Sequence, residues 1–136
     1  MSELVTSTTL LDETYVEIFI DSENKVIVAR WKGFLKSDQM EKGMNTLINN
    51  ISKKGITKHL SDHTELKVLS SDLQKRLVED GLPAFERVGI TKLAVKTADD
   101  IFAVATVEKV NNTTQIGKMT IKSFNTDQQC LDWLNE

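Results

Sequence analysis

Residues 56–77, ITKHLSDHTELKVLSSDLQKRL (Ile56 to Leu77), hold a strand, a polar corner and the start of a helix. The remaining elements arrange themselves around this stretch. Ile56, Lys58, Leu60 and Asp62 alternate with Thr57, His59 and Ser61, and the run of Asp62, His63 and Thr64 is the kind of polar cluster that ends a strand. A strand stopping at Asp62 and a loop from Asp62 to Ser71 are therefore expected. Ser71 is followed three residues later by Gln74. That is capping-box spacing, in which the hydroxyl accepts from a backbone N–H and the amide reaches back to the cap. Such a cap is worth about 1 kcal/mol of helix stability. A polar loop closing on a helix N-terminus also turns orphan N–H groups and the positive dipole end toward whatever binds there.

Upstream, Val16, Ile18 and Ile20 alternate with Tyr15, Glu17, Phe19 and Asp21, a half-buried strand with its apolar side on the even numbers. Asp21, Ser22, Glu23 and Asn24 supply hairpin-turn chemistry, and VIVARW (Val26 to Trp31) returns as a second strand. Gly33 breaks it. Ser37 and Asp38 then start a helix whose Met40, Met44, Leu47, Ile48 and Ile51 recur at three- and four-residue steps, and Lys53, Lys54 and Gly55 close it. Residues 1–14, rich in Ser, Thr and acids, read as an N-terminal arm or edge.

Downstream, a helix from Asp72 carries Leu73, Leu77 and Val78 on one side. Gly81 and Pro83 are expected to interrupt it, because proline disfavours helical geometry at Leu82. Pro83 would open a short second piece, PAFERV, that stops at Gly89. TKLAVKT follows as a strand with Leu93 and Val95 on one face. The stretch IFAVATVEKV (Ile101 to Val110) is rich in β-branched residues and alternates as a strand could. Asp99 as a cap, and the crossover that the flanking strands need if they are parallel, favour helix. Met119, Ile121 and Ser123 mark a last strand, and Thr126 with Gln129 forms a capping box ahead of a helix that buries Cys130, Leu131 and Leu134.

This order describes an α/β fold: a mixed sheet with an N-terminal β-hairpin followed by β-α-β-α-β units, helices packed mainly on one face. Residues 15–136 suit one domain with a single core. Seventeen basic residues against twenty acidic ones, a net charge of −3, argue against nucleic acid as a partner. Cys130 is the one cysteine and reads as a small core residue. No apolar run reaches membrane-spanning length, so a soluble, cytoplasmic protein is expected. An exposed hairpin edge makes a strand-mediated homodimer plausible.

The motifs of phosphate, dinucleotide, zinc and nucleophile-elbow sites are absent, which points to a protein without catalytic residues, metal or cofactor. His59 and His63 flank Asp62 and invite a metal or acid/base reading, but no third ligand has fixed spacing, and solvent-exposed loop histidines are the simpler expectation. Ser70 and Ser71 could take a phosphate at a helix N-terminus, yet a cap needs no further role. Trp31, Phe34, Phe85, Phe102 and Trp133 read as core.

Taken together, VIVARWKG (Val26 to Gly33), the helix from Ser37 to Gly55, the loop after Asp62 and the closing DQQCLDWLNE resemble the STAS superfamily. The likeness is nearest to its SpoIIAA-like branch, small bacterial proteins that share a fold with anti-sigma factor antagonists. The resemblance implies a regulatory domain that contacts an unknown protein partner. In the antagonists it would imply a phosphorylatable serine directly after an aspartate. Here Asp62 is followed by His63, and Ser70 and Ser71 lie downstream without a neighbouring glycine. The contact loop would then be Asp62, His63, Leu66, Lys67, Ser70 and Ser71. SEC14-like relatives in the same broad fold imply an alternative, a carrier whose small lipid-like ligand sits in an apolar cleft beside Leu82, Phe85 and Phe102, between the second and third helices.

Overall fold

The computed structural model describes residues 4–98 and 113–136. Its strands are β1 (Thr8–Glu13), β2 (Val16–Asp21), β3 (Val26–Phe34), β4 (Lys58–Val68), β5 (Lys92–Lys96), β6 (Thr113–Ile116) and β7 (Met119–Phe124). Its helices are α1 (Ser37–Lys54), α2 (Ser71–Arg76), α3 (Leu82–Arg87) and α4 (Asp127–Leu134), with a π-helical turn over Leu77–Gly81 joining α2 to α3. The strands form one mixed sheet in the order β1-β2-β3-β4-β5-β7-β6. β1, β2 and β3 are antiparallel neighbours, β3, β4, β5 and β7 run parallel, and β6 returns antiparallel on β7.

The hairpin of β2 and β3 is where the alternating residues place it, with Val16 opposite Trp31 and Asp21 opposite Val26. Part of the stretch read as an arm or edge is an edge strand: β1 pairs with β2, and Leu10 and Leu11 pack on the core. β6 was not foreseen. Both faces of the sheet are covered, as its parallel centre requires. On one face Val16, Ile18, Ile27 and Ala29 pack against Leu47 and Ile51 of α1 and Phe85 of α3. On the other, Phe19, Val28, Leu60 and Ala94 meet Cys130, Leu131 and Leu134 of α4. The helices thus lie mainly on one face, and α4 alone of those described lies on the other. The helix expected over Ile101 to Val110, and Phe102 within it, lie outside the described residues.

α1 ends as its sequence dictates, on Gly55 in the left-handed region (φ 65°), whose N–H closes on the Ile51 carbonyl. The second helix departs from expectation. Gly81 and Pro83 do not break it; Leu82 keeps right-handed geometry (φ −63°, ψ −45°), and its N–H reaches back five residues to the Leu77 carbonyl. A wider turn lets the backbone pass the N–H that Pro83 lacks. Leu73, Leu77, Gly81 and Phe85 lie four residues apart, and four residues overshoot an α-helical turn by about 40°. The wider turn takes that drift back, so Leu73, Gly81 and Phe85 all stay buried.

Candidate functional site

The site begins with a kink in β4. That strand does not end at Asp62 but runs on to Val68, because the Asp62-His63-Thr64 cluster makes a β-bulge. Arg30 pairs with Asp62 and Lys32 with Glu65, so β4 carries one residue more than β3 across this step. Asp62 Oδ1 accepts both the Thr64 N–H (2.9 Å) and the Thr64 hydroxyl (2.7 Å), which fixes the bulge. A bulge changes which face later residues present. His59, Ser61 and His63 share one face at two-residue steps, and the extra residue brings Leu66 onto the same cavity wall.

That wall bounds a cavity of about 160 Å³ between the sheet, α1 and the α2–α3 segment. Met40 and Met44 of α1, Leu77 of the π turn, and Leu82 and Phe85 of α3 form its roof, while Trp31, Leu93 and Val95 join β4 in its floor. Among the described residues its polar groups come from His59, Ser61 and His63, and no carboxylate, lysine or arginine of theirs lines it. Leu66, Leu69 and Leu77 are half-exposed at its rim. Arg76 ties α2 to the start of α1 by donating to the Ser37 hydroxyl.

His59 is the most buried of the three, 1% exposed rather than the loop residue expected. Its Nδ1–H donates to the Ile27 carbonyl (2.9 Å), and its ring lies 4.9 Å from that of Phe85. Burial pushes the His59 pKa down to about 4, the Ile27 bond opposing in part and the neighbouring His63 adding to the shift. The ring is therefore neutral at pH 7, and Nε2 presents a lone pair that no described residue meets. Ser61 Oγ and His63 Nε2 share a hydrogen bond of 2.8 Å. Burial lowers the His63 pKa as well, against the pull of Asp62.

Asp62 points through the sheet to the opposite face. There it meets Arg30 Nη1 at 2.6 Å and Lys96 Nζ at 3.9 Å, and both cations also reach Asp127 of α4, at 3.6 and 3.1 Å. Arg30 rests on the ring of Phe19, 5.6 Å from its centroid. Burial alone would raise the Asp62 pKa; the two Thr64 hydrogen bonds, Lys96 and Arg30 together hold it below the ordinary value. This cluster is charge-balanced and joins α4 to the parallel strands.

The residues expected in one contact loop are thus dispersed. Asp62 is buried in the ion cluster, His63 and Leu66 line the cavity, and Lys67, Ser70 and Ser71 are exposed. The α2 cap is Ser70 and not Ser71: its Oγ accepts from the Leu73 N–H at 3.2 Å, while the Gln74 amide donates to the Leu69 carbonyl. Leu82 and Phe85 do border a cavity, bounded by the first helix as well as the second. Phe34, expected in the core, is 71% exposed at the end of β3. Sequence reasoning missed His59 and Ser61 as wall residues, although their alternation with His63 along one strand was the available signal.

Among the described residues no group of three His, Cys, Asp or Glu side chains could hold a metal ion. No helix among them is long and apolar enough to cross a membrane.

No family model matches the chain, and no curated protein matches it. Among solved structures it is similar to an uncharacterized protein of the DUF3478 family from Shewanella loihica PV-4, described as having a SpoIIAA-like fold. The identity is 18%, the TM-score is 0.60, and the match covers 98% of each chain. A match over nearly the whole of both chains shows that the fold of this protein is SpoIIAA-like.

Proposed function

We propose that this protein is a non-catalytic binding module for a small apolar molecule held in the cavity beneath α3. One observation carries the reading: the described residues leave a hollow under Leu82 and Phe85, where a domain of this size ordinarily fills its interior with side chains. A volume of about 160 Å³ is close to that of a dry engineered cavity that admits benzene. The wall position also fits, since sites in open α/β sheets gather toward the carboxyl ends of parallel strands. The π turn in the roof is a feature often found beside functional sites. Native mass spectrometry of the freshly purified chain tests the proposal. A bound mass that disappears when Leu66→Trp fills the cavity supports it, and a chain that neither carries nor takes up any apolar probe ends it.

The exposed Phe34 favours a second reading, a regulatory surface for another protein. Phe34 is paired in register with Val68 at the end of β4, two residues ahead of the exposed Ser70 and Ser71 in sequence. A photo-crosslinker placed at Phe34 would trap one discrete partner in the native cell, competed by untagged protein but not by Phe34→Ser. Absence of any such adduct leaves the ligand reading alone.

A further inference from the structure

The three polar side chains that the described residues bring to the cavity wall are not equivalent. The Ser61 hydroxyl and His63 Nε2 already satisfy each other at 2.8 Å. His59 spends Nδ1–H on the Ile27 carbonyl and has the carbon ring of Phe85 against it, so its Nε2 is a buried acceptor with no partner among the described residues. A buried acceptor left unmet is costly, and the nearest wall hydroxyl is already engaged.

We infer that the ligand of this cavity is a neutral, mostly apolar molecule of about six to ten non-hydrogen atoms bearing one O–H or N–H donor, which binds Nε2 of His59. Phenols and compact alcohols have this chemistry. Among the described wall residues a carboxylate would find no cation and an ammonium no carboxylate, and an unpaired charge is costly in such surroundings, so a neutral ligand fits them better than a charged one. The orientation follows as well. The donor points at the sheet, and the apolar body lies outward under Met44, Leu77 and Leu82. The inference rests on the cavity being the ligand site.

The test compares para-fluorophenol with the near-isosteric para-fluorotoluene, titrated into the full chain and followed by fluorine NMR. The phenol is expected to bind about tenfold tighter, the ratio one hydrogen bond to an otherwise unmet acceptor supplies. In His59→Phe that preference should vanish while the toluene still binds. Should the variant not fold, nitrogen NMR of the wild-type imidazole decides: the His59 Nε2 resonance should shift with the phenol and not with the toluene. Equal affinities in the wild type, as when solvent serves Nε2 equally well, would overturn the inference and leave the binding-module reading intact. A preference that survives in His59→Phe, or an Nε2 resonance indifferent to the phenol, would overturn it too. Binding of neither probe would remove the reading on which it rests.

Discussion

Nδ1 of His59 lies 2.9 Å from the carbonyl oxygen of Ile27, its register partner on the adjacent parallel strand. The carbonyl can only accept, so this contact assigns the ring proton to Nδ1 and leaves Nε2 as the lone-pair side. One backbone oxygen on β3 thereby determines the hydrogen-bonding character of a cavity wall on β4.

The same ring makes stability pH-dependent. Above the unfolded value of 6.5 it is neutral in both states and contributes no pH dependence. Between 6.5 and about 4 the unfolded chain takes up a proton that the folded chain refuses, so stability falls as pH falls through that window and levels off below it. The expected loss is roughly 3 kcal/mol. His63, also lowered by burial, acts in the same direction. Asp62 is held low, so its contribution is lost only further into acid, below the carboxylate range. Urea unfolding from about pH 7 to about pH 4 measures this; His59→Phe should flatten most of the slope, and a wild-type chain equally stable at both ends would contradict it.

Replacing Asp62 with Asn should be among the more damaging single changes outside the apolar core. It leaves Arg30 and Lys96 to share Asp127 alone in a partly buried setting. A loss of about 2–3 kcal/mol in chemical denaturation is expected, below the full value for a buried pair because Arg30 is 25% exposed. A double-mutant cycle with Arg30→Met should return positive coupling. Additive losses would mean the two side chains act independently.

Gly43 of α1 is packed against the indole of Trp31. A Cβ built there would lie 2.5 Å from Cη2 and 2.8 Å from Cζ3. Alanine gains about 1 kcal/mol of helix propensity, while overpacking costs about 1–3 kcal/mol. Gly43→Ala is therefore expected to lose about 1 kcal/mol and to push the ring toward the cavity it lines, weakening any apolar probe there. Tryptophan fluorescence and probe titration read the two effects; unchanged stability with unchanged affinity would show that the ring has room elsewhere.

The cap of α2 separates two adjacent serines. Ser70→Ala removes the oxygen that accepts from Leu73 and should cost about 1 kcal/mol, whereas Ser71→Ala should change stability by no more than a few tenths. Equal effects would place the helix start elsewhere.

What could be read from the residues alone follows from which physical signals are local. The α1 helix, the β2–β3 hairpin and the Thr126 cap are set by neighbours in sequence. The Thr126 hydroxyl does accept from the Gln129 N–H at 3.1 Å, with the Gln129 amide oxygen taking the N–H of Asn125. The course of β4 was misread because Asp-His-Thr is strand-ending chemistry unless a partner strand tolerates an extra residue, and that depends on β3. Likewise Gly81 and Pro83 look like a break until α1 and the sheet hold both helical pieces in place. His59 looked like a loop residue because neither the Ile27 carbonyl nor the ring of Phe85 is near it in sequence. The apolar cleft beside Leu82 and Phe85 was visible as a possibility, but whether side chains filled it was a question of volume, which periodicity does not address.

The joint between α2 and α3 behaves as a spacer of fixed tooth count. Adding one more residue to Leu77–Gly81, whose widened turn already takes up the drift of the segment, would swing everything beyond it by about 100° around the axis. Phe85 would leave its place against His59, and Ala84, too small to fill it, would come round instead. Substitutions along this segment are consequently far more tolerable than an added residue, so an insertion here should separate chains that keep a cavity from chains that merely keep a sheet.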